Sequence, residues 1–281
     1  MSDRLRASEA TTLLPFLTTE LHGWSRSKIK QRLRTGCVVV NGELVSRHDH
    51  ALKAGDEVEV RITARGSRSG TLEILHSDGD LVAINKPTRL LSVASDKERE
   101  QHALAILRRQ LSRPNHPVKL WPVHRLDRET SGVLLFATSR EMREAVTALW
   151  CEAEKTYMVI VEGCPNPRQG KIDQPLRWDP KGCCTHVGPH PEAKSAVTHF
   201  KTQRTSKGRA LLEARLETGR QHQIRAHLAW LGHPVVGDAR YGTVGRRMAL
   251  HALRLSITCP KTNKRFTFET PAADEFLALL E

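Results

Sequence analysis

The sequence predicts a mixed-sheet domain of α/β or α+β class behind a small N-terminal module of one helix, one hairpin and one strand. Three observations carry this. Strand-like apolar runs recur from residue 81 to residue 269, and stretches with helical spacing stand between them. The segment 63–70 is rich in Gly, Ser and Arg and holds no large apolar residue, so it reads as a linker at a domain boundary. With 281 residues, the chain has room for a small domain of 1–62 and a larger one of 71–281, each able to bury a core.

The elements follow in order. Residues 25–34 read as a helix with Ser25 as N-cap, Ile29 and Leu33 one turn apart, and Gly36 at the C-cap. Its other faces carry Arg26, Lys28, Lys30, Arg32 and Arg34 and no acid, which suits a face that tracks phosphates. Residues 37–40 and 43–46 flank Asn41-Gly42, the strongest short signal of a hairpin, and 57–62 alternate polar and apolar as a half-buried strand. In the larger part, strands are expected at 81–84, 133–137, 157–161, 196–200, 211–216, 250–257 and 266–269. Helices are expected at 98–111, 139–154 and 221–231, the last closed by Gly232.

Composition narrows the function. Lys and Arg number 44 against 31 Asp and Glu, a formal charge of +13 on a chain that is 39% hydrophobic and therefore globular. Residues 1–70 hold 12 basic and 8 acidic side chains, and 71–281 hold 32 and 23, so both parts are basic. A folded basic surface concentrates polyanions, nucleic acid first. The apolar run 133–137 is far short of the ~18 residues that span a bilayer, and 13–17 is too short for a signal peptide, so a cytoplasmic protein is expected. Six cysteines without a CxxC spacing are expected to be reduced. No apolar interface is evident, which makes a monomer the default.

Two segments could carry chemistry. His124-Arg125-Leu126-Asp127-Arg128-Glu129-Thr130-Ser131-Gly132 packs charge at the mouth of the apolar strand 133–137, where a carboxylate can be held against a rigid floor. Arg125 and Arg128 flank Asp127 and favour its ionised form; the alternative is a surface ion-pair turn. In the helix at 221–231, Ile224, Leu228 and Leu231 form the buried stripe, and Arg225 lies about 100° from Ile224 at its edge. An arginine there is partly desolvated and requires an anion, with Asp127, Glu217 or a phosphate as candidates.

These residues resemble the RluA-type pseudouridine synthases. The resemblance rests on 124–132 together with Ile84-Asn85-Lys86-Pro87, Lys155-Thr156-Tyr157, Val161-Glu162-Gly163, 218–227, Gly237-Asp238 and Tyr241-Gly242, in the family's order. Residues 12–62 are similar to the S-four-like RNA-binding domain often fused ahead of such enzymes. The resemblance implies an α+β fold, a mixed and largely antiparallel sheet flanked by helices behind a small RNA-binding module. It implies isomerisation of uridines in structured RNA, ribosomal or transfer RNA, with no cofactor. By resemblance, Asp127 is the catalytic aspartate, Tyr157 stacks on the target base and serves in proton transfer, Arg225 pairs with the catalytic carboxylate, and Arg125 fills the gap left by the flipped nucleotide. Arg128, Arg220 and His222 are expected to contact RNA with Arg26, Lys28, Lys30 and Arg34. The rival readings are a non-catalytic RNA-binding or ribosome-assembly factor and an N-glycosidase.

The pattern departs from the family at 88–94, where a glycine and a histidine-proline pair are usual and Thr88-Arg89-Leu90-Leu91-Ser92-Val93-Ala94 stands instead. Cys183, Cys184, His186 and His190 offer a zinc-like ligand set with poor spacing, since adjacent cysteines seldom reach one ion, and no metal is assigned. The remaining histidines read as polar surface or RNA contacts.

Overall fold

The computed structural model describes residues 3–26, 29–30, 33, 38–45, 47–60, 71–96, 98–113 and 115–281. Two compact units, Met1–Thr71 and Leu72–Glu281, divide the chain.

The first unit contains β1 (Asp3–Arg6), β2 (Thr11–Thr12), α1 (Leu13–Glu20), β3 (Val38–Val40), β4 (Glu43–Leu44), β5 (Ala51–Leu52) and β6 (Glu57–Val60). One antiparallel sheet runs in the order β1-β6-β3-β4, and β2 pairs with β5. The expected hairpin forms at Asn41-Gly42, whose φ angles of 49° and 85° are the two positive values a type I′ turn needs. Helix α1 was not anticipated. Pro15 sits in its first turn, where its missing N–H costs nothing, and Leu13, Leu14, Phe16 and Leu17 are buried. Half of the helix expected over 25–34 lies outside the described residues, as do 61–62 of the expected strand and the expected linker 63–70. Ile29 and Leu33 are both buried in this unit's core, while Arg26 and Lys30 are exposed.

The second unit is built on β7 (Glu73–Ser77), β8 (Leu81–Lys86), β9 (Trp121–Pro122), β10 (Ser131–Ala137), β11 (Glu154–Glu162), β12 (Gln169–Asp173), β13 (Leu176–Asp179), β14 (Cys184–Val187), β15 (Val197–Ser206), β16 (Arg209–Leu216), β17 (Leu250–Thr258) and β18 (Arg265–Glu269). Its main sheet has the order β12-β15-β16-β11-β17-β10-β8-β7, with β18 on β17 and β9 on β10. Every pairing in it is antiparallel except β10 with β17, which meet in parallel over Ser131↔His251 and Gly132↔Ala252 alone. β13 and β14 form a separate hairpin. The fold is therefore α+β with a mixed, largely antiparallel sheet.

Helices α2 (Ala103–Leu111), α3 (Arg140–Ala148), α4 (Gln223–Trp230) and α5 (Asp274–Leu277) complete it. α2 starts later than the periodicity predicts because the Glu98 carboxylate captures the amides of Glu100 and Gln101, and His102 then caps the helix through Nδ1 to the Ala105 amide. The helix expected over 139–154 is shorter: Ser139 caps α3 by accepting the Met142 amide, and the chain beyond Ala148 turns through Trp150–Glu152 into β11. In α4, Ile224 and Leu228 are buried as predicted, each contributing about 1.5–3 kcal/mol. Two histidines expected at the surface belong to the core. His227 lies wholly buried between the Thr198 hydroxyl and the Gln174 carbonyl, and His251 between Ser131 and the Thr270 carbonyl. Alternation along a strand or helix hides such residues, because each imidazole finds its partners on elements distant in sequence.

Candidate active site

The turn before β10 is fixed from both sides. Ser92 donates its hydroxyl to the Leu126 carbonyl at 2.8 Å and accepts the Leu126 amide at 3.0 Å, and Thr88 donates to the Glu129 carbonyl at 2.7 Å. The segment 88–94, which departs from the family pattern, thus grips the turn that carries Asp127. Lys86, fully buried at the end of β8, donates to the carbonyls of Pro87, Leu90 and Arg128. Burial pushes its ammonium down to about 7 against the pull of Glu129 and Asp127, and the three carbonyls match the three N–H bonds of the protonated form. His124 is held neutral in the same turn: its Nε2 accepts the Leu135 amide, its ring stacks on Trp150, and burial lowers its pKa to about 4.

Behind the turn, β10 approaches β17 so closely that a Cβ on Gly132 would lie 2.2 Å from the Ala252 carbonyl oxygen, and Gly132 has φ +112°. Only glycine fits there. Gly237 is a second such position, with φ +75° and a Cβ that would lie 2.0 Å from the Arg247 carbonyl. It delivers Asp238 to α4.

Arg225, itself buried, binds both acids. Its Nε and Nη2 grip Asp238 at 2.7 and 2.8 Å, and its Nη1 reaches Asp127 Oδ2 at 2.8 Å. Asp127 was among the expected partners. Asp238, completely buried, was not foreseen as one, and Glu217 pairs with His199 instead. Burial pushes Asp238 up, but Arg225 and the amides of Arg240 and Tyr241 outweigh it and hold the carboxyl below its usual range. The same two carboxylates keep the Arg225 guanidinium charged despite burial, and it sits 5.2 Å over the Tyr241 ring. Asp127 remains 29% exposed, and no donor among the described residues bonds its Oδ1.

His222, expected to contact RNA, lies within this site. Its side chain is only 9% exposed, its Nε2 lies 3.7 Å from Asp127 Oδ2, and its Nδ1 is 3.0 Å from the Tyr241 hydroxyl. A left-handed backbone at φ +53°, just before α4, turns it inward. Trp178 meets its ring edge-on at 5.3 Å. Burial lowers its pKa, against the pull of Asp127.

Tyr157 stands on β11 between Ala214 on one neighbouring strand and Ala252 on the other, with a register shift between Thr156 and Tyr157 against β17. Small neighbours leave space beside its ring, and the irregularity re-aims the side chain. Burial and the Asp127 charge raise the phenol's pKa, so it stays neutral at physiological pH.

The flanking arginines correct one expectation. Arg128 does not serve Asp127: its Nε lies 3.7 Å from Glu129 and 3.5 Å from the Arg89 carbonyl, with the side chain 56% exposed. A solvated guanidinium is satisfied by its own turn, and the buried one on α4 takes the carboxylate. Arg125 is exposed on that turn, and Arg220 is exposed while donating to the Ser195 carbonyl at 3.1 Å. Arg26 and Lys30 are exposed; Lys28 and Arg34 lie outside the described residues. Sequence reasoning missed Lys86, Ser92 and Asp238 as site residues. Both Asp238 and Lys86 stood within segments that carry the resemblance, but neither was given a role; the further signals were the glycine before Asp238 and, for Lys86, a cation closing an apolar strand.

The sequence signature described as RNA pseudouridylate synthase matches residues 80–230. The chain is 30% identical to an uncharacterized RNA pseudouridine synthase of Bacillus subtilis over 280 residues, covering 95% of this chain and 92% of that one. It is also 30% identical to the ribosomal large subunit pseudouridine synthase D of Haemophilus ducreyi, over 92% of this chain and 86% of that one. Among solved structures, human RNA pseudouridylate synthase domain containing 4 superposes with a TM-score of 0.61 at 26% identity, over 74% of this chain and 91% of that one.

Proposed function

The chain belongs to the RNA pseudouridylate synthase family and isomerises uridine in RNA to pseudouridine; within that reaction we propose that Asp127 is the group that acts on the ribose of the target nucleotide. The bond from C1′ to N1 breaks, the ring turns, C1′ joins C5, and the C5 proton is replaced by one on N1, so no atom is gained or lost. A carboxylate near C1′ can trap or stabilise a developing oxocarbenium, as in retaining glycosidases, or remove a ribose proton. Either role needs the ionised form and one accessible oxygen. The observation that carries the proposal is the Arg225 bridge: a guanidinium locked by buried Asp238 orients Oδ2 of Asp127 and leaves Oδ1 without a hydrogen bond from the described residues.

The other roles rest on the same geometry. Tyr157 packs against the base, and as a neutral phenol it takes up a proton only by passing on its own. Arg225 positions Asp127. Exposed Arg125 fills the gap in the RNA stack after the uridine is flipped, a step that costs a few kcal/mol. Arg128 and Arg220 meet the RNA backbone, and His222 lines the pocket beside Asp127. The N-terminal unit is an S-four-like RNA-binding module in which Arg26, Lys28, Lys30 and Arg34 track phosphates. The names of the relatives favour large-subunit ribosomal RNA over transfer RNA as substrate.

Asp127→Asn is expected to reduce pseudouridine formation by about 10⁴-fold while RNA affinity stays within a few-fold, measured by pseudouridine mapping and filter binding. Full activity in that variant would overturn the assignment. A stable adduct with RNA containing 5-fluorouracil separates the enzyme from a non-catalytic binder, and free uracil would instead mark an N-glycosidase.

A further inference from the structure

The β13–β14 hairpin sets Asp179 directly opposite Cys184, and His186 follows two residues later on the same strand. Successive side chains alternate between faces, so all three project from one face. The Cys184 Sγ lies 3.6 Å from His186 Nε2, and that same nitrogen lies 3.6 Å from Asp179 Oδ2. The three ligand atoms are all within 4.8 Å of one another. In a tetrahedral zinc site with ordinary bond lengths, sulfur and nitrogen ligand atoms stand about 3.5 Å apart and nitrogen and oxygen about 3.4 Å. Two of the three ligand pairs therefore already stand at the spacing of a metal site, and the third is within 4.8 Å.

The other two residues that sequence spacing suggested do not join it. Cys183 has a left-handed backbone, and its Sγ points to the Pro180 carbonyl at 3.4 Å; His190 accepts the Glu192 amide. The carboxylate from the facing strand replaces them. We propose that Asp179, Cys184 and His186 bind one zinc ion, with water as the fourth ligand, and that the ion pins the turn of this hairpin.

Thiolate, imidazole and carboxylate together select zinc or cobalt over magnesium or calcium. Thiolate and carboxylate supply two negative charges, which balance the ion although Arg177 stands across from His186. One oxygen of Asp179 is already ordered, since Oδ1 accepts the Lys181 amide at 2.9 Å while Oδ2 faces the imidazole. The pinned turn has a consequence beyond itself. Arg240 donates to the carbonyls of Gly182 and Cys183, and its own amide binds Asp238. The opposite face of the hairpin supplies Trp178 to His222 and the Thr185 amide to the Tyr241 hydroxyl at 2.6 Å. Metal binding would thus stiffen one wall of the site around Asp127, although the binding itself does not depend on the reaction assigned there.

The test uses the full chain stripped with a chelator and dialysed. Zinc titrated in competition with a chromophoric chelator is expected to fill one site, and cobalt to give a thiolate-to-metal band with visible absorption of four-coordinate strength. Cys184→Ser and His186→Ala are each expected to weaken zinc by more than the about 10–100-fold that loss of an outer partner costs, and Cys183→Ser to leave it unchanged. Zinc should raise the unfolding temperature of the unsubstituted chain and of Cys183→Ser but not of Cys184→Ser. Absence of a saturable site and of the thiolate band in the unsubstituted chain would overturn the proposal, as would equal binding by Cys184→Ser.

Discussion

Asp238 and Asp127 are held by the same guanidinium. One is completely buried and gripped through both oxygens; the other is 29% exposed and bonded through one. Their charge is the same, so what separates them is donor count and access to solvent. A buried carboxylate with both oxygens engaged is an anchor, because moving it would strand charge in a low-dielectric interior. A carboxylate with a free oxygen at the surface can meet a substrate. Arg225 converts the rigidity of the first into the orientation of the second.

Substitution at either end should break this comparison differently. The largest expected effect is the loss of about 10⁴-fold in activity for Asp127→Asn, with the unfolding temperature unchanged, since the amide stays partly exposed to solvent. Next, Arg225→Met strands Asp238 and is expected to cost about 3–5 kcal/mol in urea unfolding, with activity lost as well. Adding Asp238→Leu to it should restore most of the stability and none of the activity, because an apolar pair can replace a buried ion pair but cannot orient Asp127. Equal stability losses for Asp127→Asn and Arg225→Met would remove the distinction between anchor and reactive group.

Smaller effects sharpen it. Gly132→Ala must relieve a contact of 2.2 Å with backbone in a left-handed conformation, and a loss of at least about 2 kcal/mol is expected from chemical denaturation. The smallest concerns pH. His124 has its pKa lowered from 6.5 to about 4, so the folded chain excludes a proton that the unfolded chain accepts. The stability it contributes is complete above pH 6.5 and declines as pH falls toward 4, and His124→Gln should flatten the fall of unfolding temperature across that window.

How much of this the sequence carried depends on distance along the chain. Arg225 at the edge of the α4 stripe was legible because helical period and the closing Gly232 are local signals, as was the Asn41-Gly42 hairpin. The Asp238 partnership was not, because Asp238 lies 13 positions after Arg225 and the chain from the end of α4 to Gly237 is irregular, and no periodicity reports where such a segment returns. Asp179 was missed beside Cys184 and His186 because hairpin register decides that meeting, and the turn between 179 and 184 has no two-residue signature. Helix α1 was hidden by Pro15 and flanking threonines, residues tolerated in a first turn but not diagnostic of one. Lys86 and Ser92 clamp a turn about 40 residues away, which only the fold reveals.

The brief parallel contact of β10 with β17 has a consequence for synthesis of the chain. Ser131 and His251 are joined across 120 residues, and the floor beneath Asp127 closes only when that distant strand arrives. Contacts of such separation form late, because loop closure must precede their reward. On the ribosome, the segment bearing Asp127 emerges well before Arg225, Asp238 and β17, while Met1–Thr71 has already left the tunnel as a unit of its own. A nascent chain therefore displays its N-terminal unit before it holds an assembled active site.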